Sequence, residues 1–124
     1  MSDDPHADPR SADPRAADPK SQAIAALNDA LRRRPGPGWT CTAGVQALGG
    51  DFLAQAVAAV GAFDDFDEDN DPYGERDFGT LRVQGKRLFW KIDYYDLALK
   101  YGSPDPADVA VTRRVLTLML ASEY

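Results

Sequence analysis

The stretch DFGTLRVQGKRLFWKIDYYD, Asp77 to Asp96, decides the fold. Two alternating runs flank Gln84-Gly85, and such a pair between apolar alternations predicts a two-residue hairpin turn. With the turn there, Leu81 faces Leu88, Gly79 faces Trp90, Arg82 faces Arg87 and Arg76 faces Asp93. Gly79 then leaves room for the indole of Trp90. The second run puts Leu88, Trp90, Ile92 and Tyr94 on one face and Phe89, Lys91, Asp93 and Tyr95 on the other. Both faces are partly apolar, so the middle of this strand is expected to be covered twice. The Arg82–Arg87 pair is tolerable only near an exposed tip or beside an anion.

Outward from the hairpin, the flanks read as helices. SQAIAALNDALRRR offers Ser21 as a cap, Ile24, Leu27 and Leu31 at helical spacing, and Arg32, Arg33 and Arg34 at the negative end of the dipole, before PGPG stops it. WTCT, Trp39 to Thr42, reads as a strand, and GDFLAQAVAAVGAF resumes helical periodicity through Phe52, Ala56, Val57 and Val60 with Asp51 as cap. After Asp96, Asp105 followed by Pro106 predicts a helix start, with Val109 to Leu120 an apolar surface too wide for one stripe. The expectation is an α+β domain over 21–124: a small, mainly antiparallel sheet with a β-hairpin packed against two or three helices. Ahead of it, residues 1–20 repeat Asp-Pro at Asp4, Asp8, Asp13 and Asp18 and read as a disordered tail.

Charge is unevenly spread. The 20 acids and 14 bases leave a net −6. Asp64 to Asp77, inside FDDFDEDNDPYGERDFG, holds eight carboxylates against Arg76 alone, a local −7, while the remainder of 21–124 is +3. A uniformly acidic surface imitating a DNA backbone is therefore not expected, and direct DNA binding is not favoured. Two carboxylates at Asp64 and Asp65, just past the end of a helix, call for an offset, from the arginines of the same chain, a bound cation or simple hydration.

Several chemistries fail on residue inventory. His6, the sole histidine, sits in the tail, which leaves no preorganised Ser-His or Cys-His pair, and a lone Cys41 with one distant His cannot build a zinc tetrad. Cys41 reads as a half-buried strand thiol. PGPG and LGGD lack the spacing of a phosphate or dinucleotide loop. Asp65, Asp67, Asp69 and Asp71 alternate like the opening of a calcium loop, yet Asn70 stands where glycine is required and Arg76 where a bidentate glutamate is required. What survives of that pattern is a hydrated Ca²⁺ or Mg²⁺ site on those four aspartates, with no other cofactor expected.

The residues FDDFDEDNDPYGERDFG, FWKIDYYD, SPDPAD and TRRVLTLMLASEY resemble the bacterial domain of unknown function 3768 family, over roughly Trp39 to Tyr124. The resemblance implies a small bacterial protein found among accessory or mobile-element genes, and it carries no catalytic residues with it. The functional expectation is a non-catalytic interaction or regulatory module whose acidic loop (Asp64, Asp65, Asp67, Glu68, Asp69, Asp71, Glu75), with Tyr73, Tyr94 and Tyr95, docks a basic protein surface. The competing class is a carboxylate-metal hydrolase or nuclease acting on a phosphodiester, with Asp71 or Asp77 and Asp93 on the metal, Lys91 beside it and Arg82, Lys86 and Arg87 as anion contacts. With no stretch near the roughly 20 apolar residues of a membrane helix, no leader and one cysteine, the expectation is a cytoplasmic protein away from membranes, with self-association open to two opposite patches.

Overall fold

The computed structural model describes residues 18–124. The order is α1 (Pro19–Arg32), β1 (Trp39–Cys41), α2 (Ala43–Gln46), α3 (Gly50–Ala62), β2 (Phe78–Val83), β3 (Lys86–Tyr95) and β4 (Arg113–Leu120), closed by a 3₁₀ turn, Ala121–Glu123. The strands form one four-stranded sheet in the order β1-β4-β3-β2, with β2–β3 and β3–β4 antiparallel and β1–β4 parallel. This is an α+β fold on a mixed, mainly antiparallel sheet.

The hairpin forms in the anticipated register: Leu81 pairs Leu88, Gly79 pairs Trp90 and Arg82 pairs Arg87. Gln84 and Gly85 turn it with φ of 51° and 78°, the left-handed pair whose twist matches that of the strands. The ladder stops at Phe78–Lys91, so Arg76 does not meet Asp93. Arg76 has a φ of 57° and sends its guanidinium to Asp29 of α1, 2.9 Å away, while Asp93 pairs with Lys91 at 2.8 Å.

The C-terminal segment is a strand, not the expected helix. Arg114, Leu116, Leu118 and Leu120 lie opposite Tyr94, Ile92, Trp90 and Leu88, and Val115, Thr117 and Met119 take the other face. An apolar surface too wide for a helical stripe is what two faces of a strand look like when each buries part of itself, and the β-branched Val115 and Thr117 favour that state. Asp105 instead closes a local turn: its carboxylate accepts from Ala107 N at 3.2 Å and its carbonyl from the Thr112 hydroxyl at 2.8 Å. Start chemistry for a helix and for an Asx turn is the same chemistry.

Other boundaries shift by a few residues. Asp18, not Ser21, caps α1 by accepting from Lys20 N at 3.0 Å and from the Ser21 hydroxyl at 2.9 Å. The expected tail over 1–20 thus gives up Asp18 to Lys20, and residues 1–17 with His6 lie outside the described residues. Gly49, at φ 93°, precedes α3, with Asp51 in its first turn, and α2 was not anticipated; Thr42 caps it by accepting from Val45 N. Cys41 is half-buried, and that burial pushes its thiol above the usual cysteine range.

One face of the sheet carries the core. Leu88, Trp90 and Ile92 of β3 and Leu116 and Leu118 of β4 pack with Val45 of α2 and Phe52, Ala56 and Val60 of α3. All three helices reach the sheet on this side: Asn28 of α1 meets Tyr94, Phe63 after α3 meets Trp90 and Val45 joins the core. On the opposite face Phe78, Phe89 and Tyr124 cluster with ring centres 5.0–6.0 Å apart, so among the described residues the second covering of β3 includes the Tyr124 ring. Among the described residues no helix is long and apolar enough to cross a membrane.

Candidate functional site

The acidic segment leaves the end of α3 and returns at β2, and its seat is an arginine. Ser21, Ile24, Ala25, Asn28 and Arg32 are the buried stripe of α1. Arg32 is 1% exposed and donates to the carbonyls of Val60 and Phe63 at 2.9 and 2.8 Å, with its other terminal nitrogen 2.6 Å from Asp29. A guanidinium is therefore planted at the negative end of α3, where Asp64 and Asp65 required an offset. The same group lies 5.2 Å over both the Phe66 and Trp90 rings. Arg76 covers Phe66 as well, at 5.4 Å, and Asp29 binds both arginines. Phe66 is thus the loop's apolar anchor, edge-on to Phe63 and Trp90.

Beyond the anchor the loop orders itself. Asp67 Oδ1 accepts from the amides of Asp69 and Asn70 at 2.9 and 3.1 Å. Asn70 answers by accepting from Asp67 N and donating to the Asp65 carbonyl. Asp71 is 3% exposed and accepts from Arg76 N at 2.9 Å. At the base, Asn28 donates to the Glu75 carbonyl and to the Tyr94 hydroxyl, Tyr94 donates to Glu75 Oε1 at 2.9 Å, and Arg114 donates to Asn28 Oδ1. Arg114 also stacks on the Tyr94 ring and donates to the Pro106 carbonyl. Burial holds the Tyr94 phenol well above its usual range, so it stays a neutral donor to Glu75.

The anticipated residues divide accordingly. Asp67, Asp71 and Glu75 are committed to the loop's own framework. Asp64, Asp65, Glu68 and Asp69 are exposed, and among the described residues their carboxylates make no hydrogen bond or ion pair. Tyr73 stands out beside them at 74% exposure. Tyr94 lies half-buried beneath the loop, and strand alternation turns Tyr95 to the opposite sheet face. Asp65, Asp67, Asp69 and Asp71 do not converge, and among the described residues no three His, Cys, Asp or Glu side chains are grouped to hold a metal. Asn28, Asp29, Arg32, Phe66 and Arg114 are the residues sequence reasoning missed. The signal for Arg32 was periodicity, since it falls on the stripe begun by Ile24 and Asn28.

Asp77 carries the site's pH dependence. Burial, followed by the Glu75 carboxylate and more weakly Asp71 and Asp93, pushes its carboxyl up to about 6. The folded state then keeps this proton after the unfolded chain has lost it, so the contribution is most favourable below the ordinary value of 3.8, declines as pH rises toward 6 and is level above. Asp77→Asn is expected to raise the melting temperature at about pH 7.5 and to leave it unchanged at about pH 3.5. Paired thermal melts check this, and an equal shift at both pH values would refute the assignment.

A family model described as "Protein of unknown function (DUF3768)" matches residues 41–123. No curated protein and no solved structure matches. The match runs from β1 through the acidic loop and all of β2, β3 and β4, leaving α1 outside it, and on that extent the chain belongs to the DUF3768 family.

Proposed function

We propose that the protein is a non-catalytic interaction module that docks a basic protein surface through the loop Asp64–Asp69. The observation that carries this reading is the division of labour among the carboxylates. Asp67, Asp71 and Glu75 fix the loop backbone, and among the described residues the exposed carboxylates of Asp64, Asp65, Glu68 and Asp69 enter no ion pair, Arg32 offsetting the end of α3 without bonding any of them. Preorganised charge of one sign speeds encounter with a complementary surface and rejects acidic ones, with little ordering cost on binding. Exposed Tyr73 adds ring area at the margin. The hydrolase alternative draws no comparable support, because Asp93 is held by Lys91 on the open sheet face.

The test uses D64N/D65N/E68Q/D69N, which removes four charges and leaves Asp67, Asn70 and Asp71 in place. Its stability is expected to stay within about 0.5 kcal/mol of the parent, since the changed groups are exposed. Proteins captured from the source cells by the parent chain are identified and purified, then titrated against both chains. The expected result is a basic partner whose affinity falls on the order of tenfold in the variant, mainly through a slower, less salt-dependent association rate. A partner that binds both chains alike removes the proposal.

A further inference from the structure

The second face of the sheet carries a surface of different chemistry. Strand alternation brings Arg82 of β2, Arg87 of β3 and Arg113 of β4 to this side, all exposed, and among the described residues none is ion-paired. The one carboxylate these strands place there, Asp93, is already bound to Lys91. Between the cations lie Phe78 and Phe89, half-buried, and Tyr124, a residue 73% exposed whose ring stands edge-on to Phe89. The Arg87 guanidinium carbon lies 5.3 Å from the centre of the Phe89 ring. Among the described residues none of α1, α2 and α3 packs here, because all three meet the sheet from the other side.

We propose that this open face binds a single strand of nucleic acid, stacking bases on Phe89 and Tyr124 and placing phosphates against Arg82, Arg87 and Arg113. Rings interleaved with guanidinia that hold no carboxylate among the described residues, Arg82 bonding only the Gly85 carbonyl at 3.3 Å, suit this ligand, since every base has a π-face and every nucleotide brings an anion. An acidic protein would satisfy the cations and leave the rings unmatched. A duplex keeps its bases stacked inside and offers phosphates only. The net charge of −6 is concentrated in the acidic loop, which packs on the helical side, and outside that loop residues 21–124 sum to +3. The contacts are to bases and phosphates, so DNA and RNA strands are expected to bind alike.

The test is fluorescence anisotropy of a labelled oligothymidylate of about 15 nucleotides, and the matching oligouridylate, titrated with the full chain at about 50 mM salt. Micromolar binding is expected, with affinity falling as salt rises at a logarithmic slope near −2, the value for about three phosphates on a single strand. Phe89→Leu keeps the apolar volume and loses the stacking ring, so it is expected to weaken binding about tenfold with the salt slope unchanged. R82Q/R87Q/R113Q is expected to weaken binding and flatten the slope. The loop variant D64N/D65N/E68Q/D69N is expected to bind at least as well as the parent, which separates this face from the loop. Equal affinity for the corresponding duplex, or no binding at about 100 µM protein, overturns the proposal. So does sedimentation showing that the face instead joins two copies: self-association lost in R82Q/R87Q/R113Q, with no oligonucleotide bound by the parent.

Discussion

Arg32→Leu is expected to cost about 3–5 kcal/mol, the range for removing one partner of a buried ion pair. The substitution strips Asp29 of its 2.6 Å contact and leaves the Val60 and Phe63 carbonyls without their donors. It also withdraws the cation from the Phe66 and Trp90 rings. A domain of this size has about 5–15 kcal/mol in total, so such a loss removes much of it. Arg32→Lys keeps the charge but not the planar fork, and one ammonium cannot serve two carbonyls, a carboxylate and two rings in the same geometry. It is expected to recover only part of the loss. Urea unfolding of the three proteins checks the order. A leucine variant whose midpoint matched the parent would show that Arg32 is a passenger.

Gly79→Ala is expected to cost about 2–3 kcal/mol through overpacking. A methyl group on Gly79 would stand 2.7 Å from Trp90 Cε2 and 2.8 Å from Phe63 Cζ, both closer than carbon atoms tolerate. Neither ring can retreat easily, since Trp90 is fully buried and Phe63 is edge-on to it at 5.5 Å. Trp90→Phe supplies the space, and because the buried Trp90 Nε1 has no hydrogen-bond partner among the described residues, that change forfeits no bond there. In the W90F background, Gly79→Ala is therefore expected to cost less, giving a coupling of about 1 kcal/mol or more. Four denaturation curves measure it. Strict additivity would mean that the glycine is not there for the indole.

The hairpin was legible because its information is local: alternation, a turn pair and a glycine opposite a large ring all lie within Asp77–Asp96. The parallel partnership of β1 with β4 was not, since three residues, Trp39 to Cys41, carry no mark of the strand they join. The C-terminal strand was misread for a chemical reason. Asp105-Pro106 is a legitimate helix opening, and only the pairing of Leu116, Leu118 and Leu120 with Ile92, Trp90 and Leu88 of β3 decides otherwise. The acidic loop was visible as charge, but its partition was not. Whether a given aspartate holds an amide or faces water depends on loop geometry, as Asp67 and Asp69 show with identical side chains two residues apart.

The residues that seat the loop come from a helix the family match does not reach. Arg32 and Asn28 belong to α1, whereas the match begins at Cys41. A self-sufficient piece of this chain therefore has to include α1. Cut at the edge of family similarity, the remainder would have lost the buttress for the end of α3 and for the base of the loop, and a peptide spanning α1 would be the natural complement for restoring it in trans.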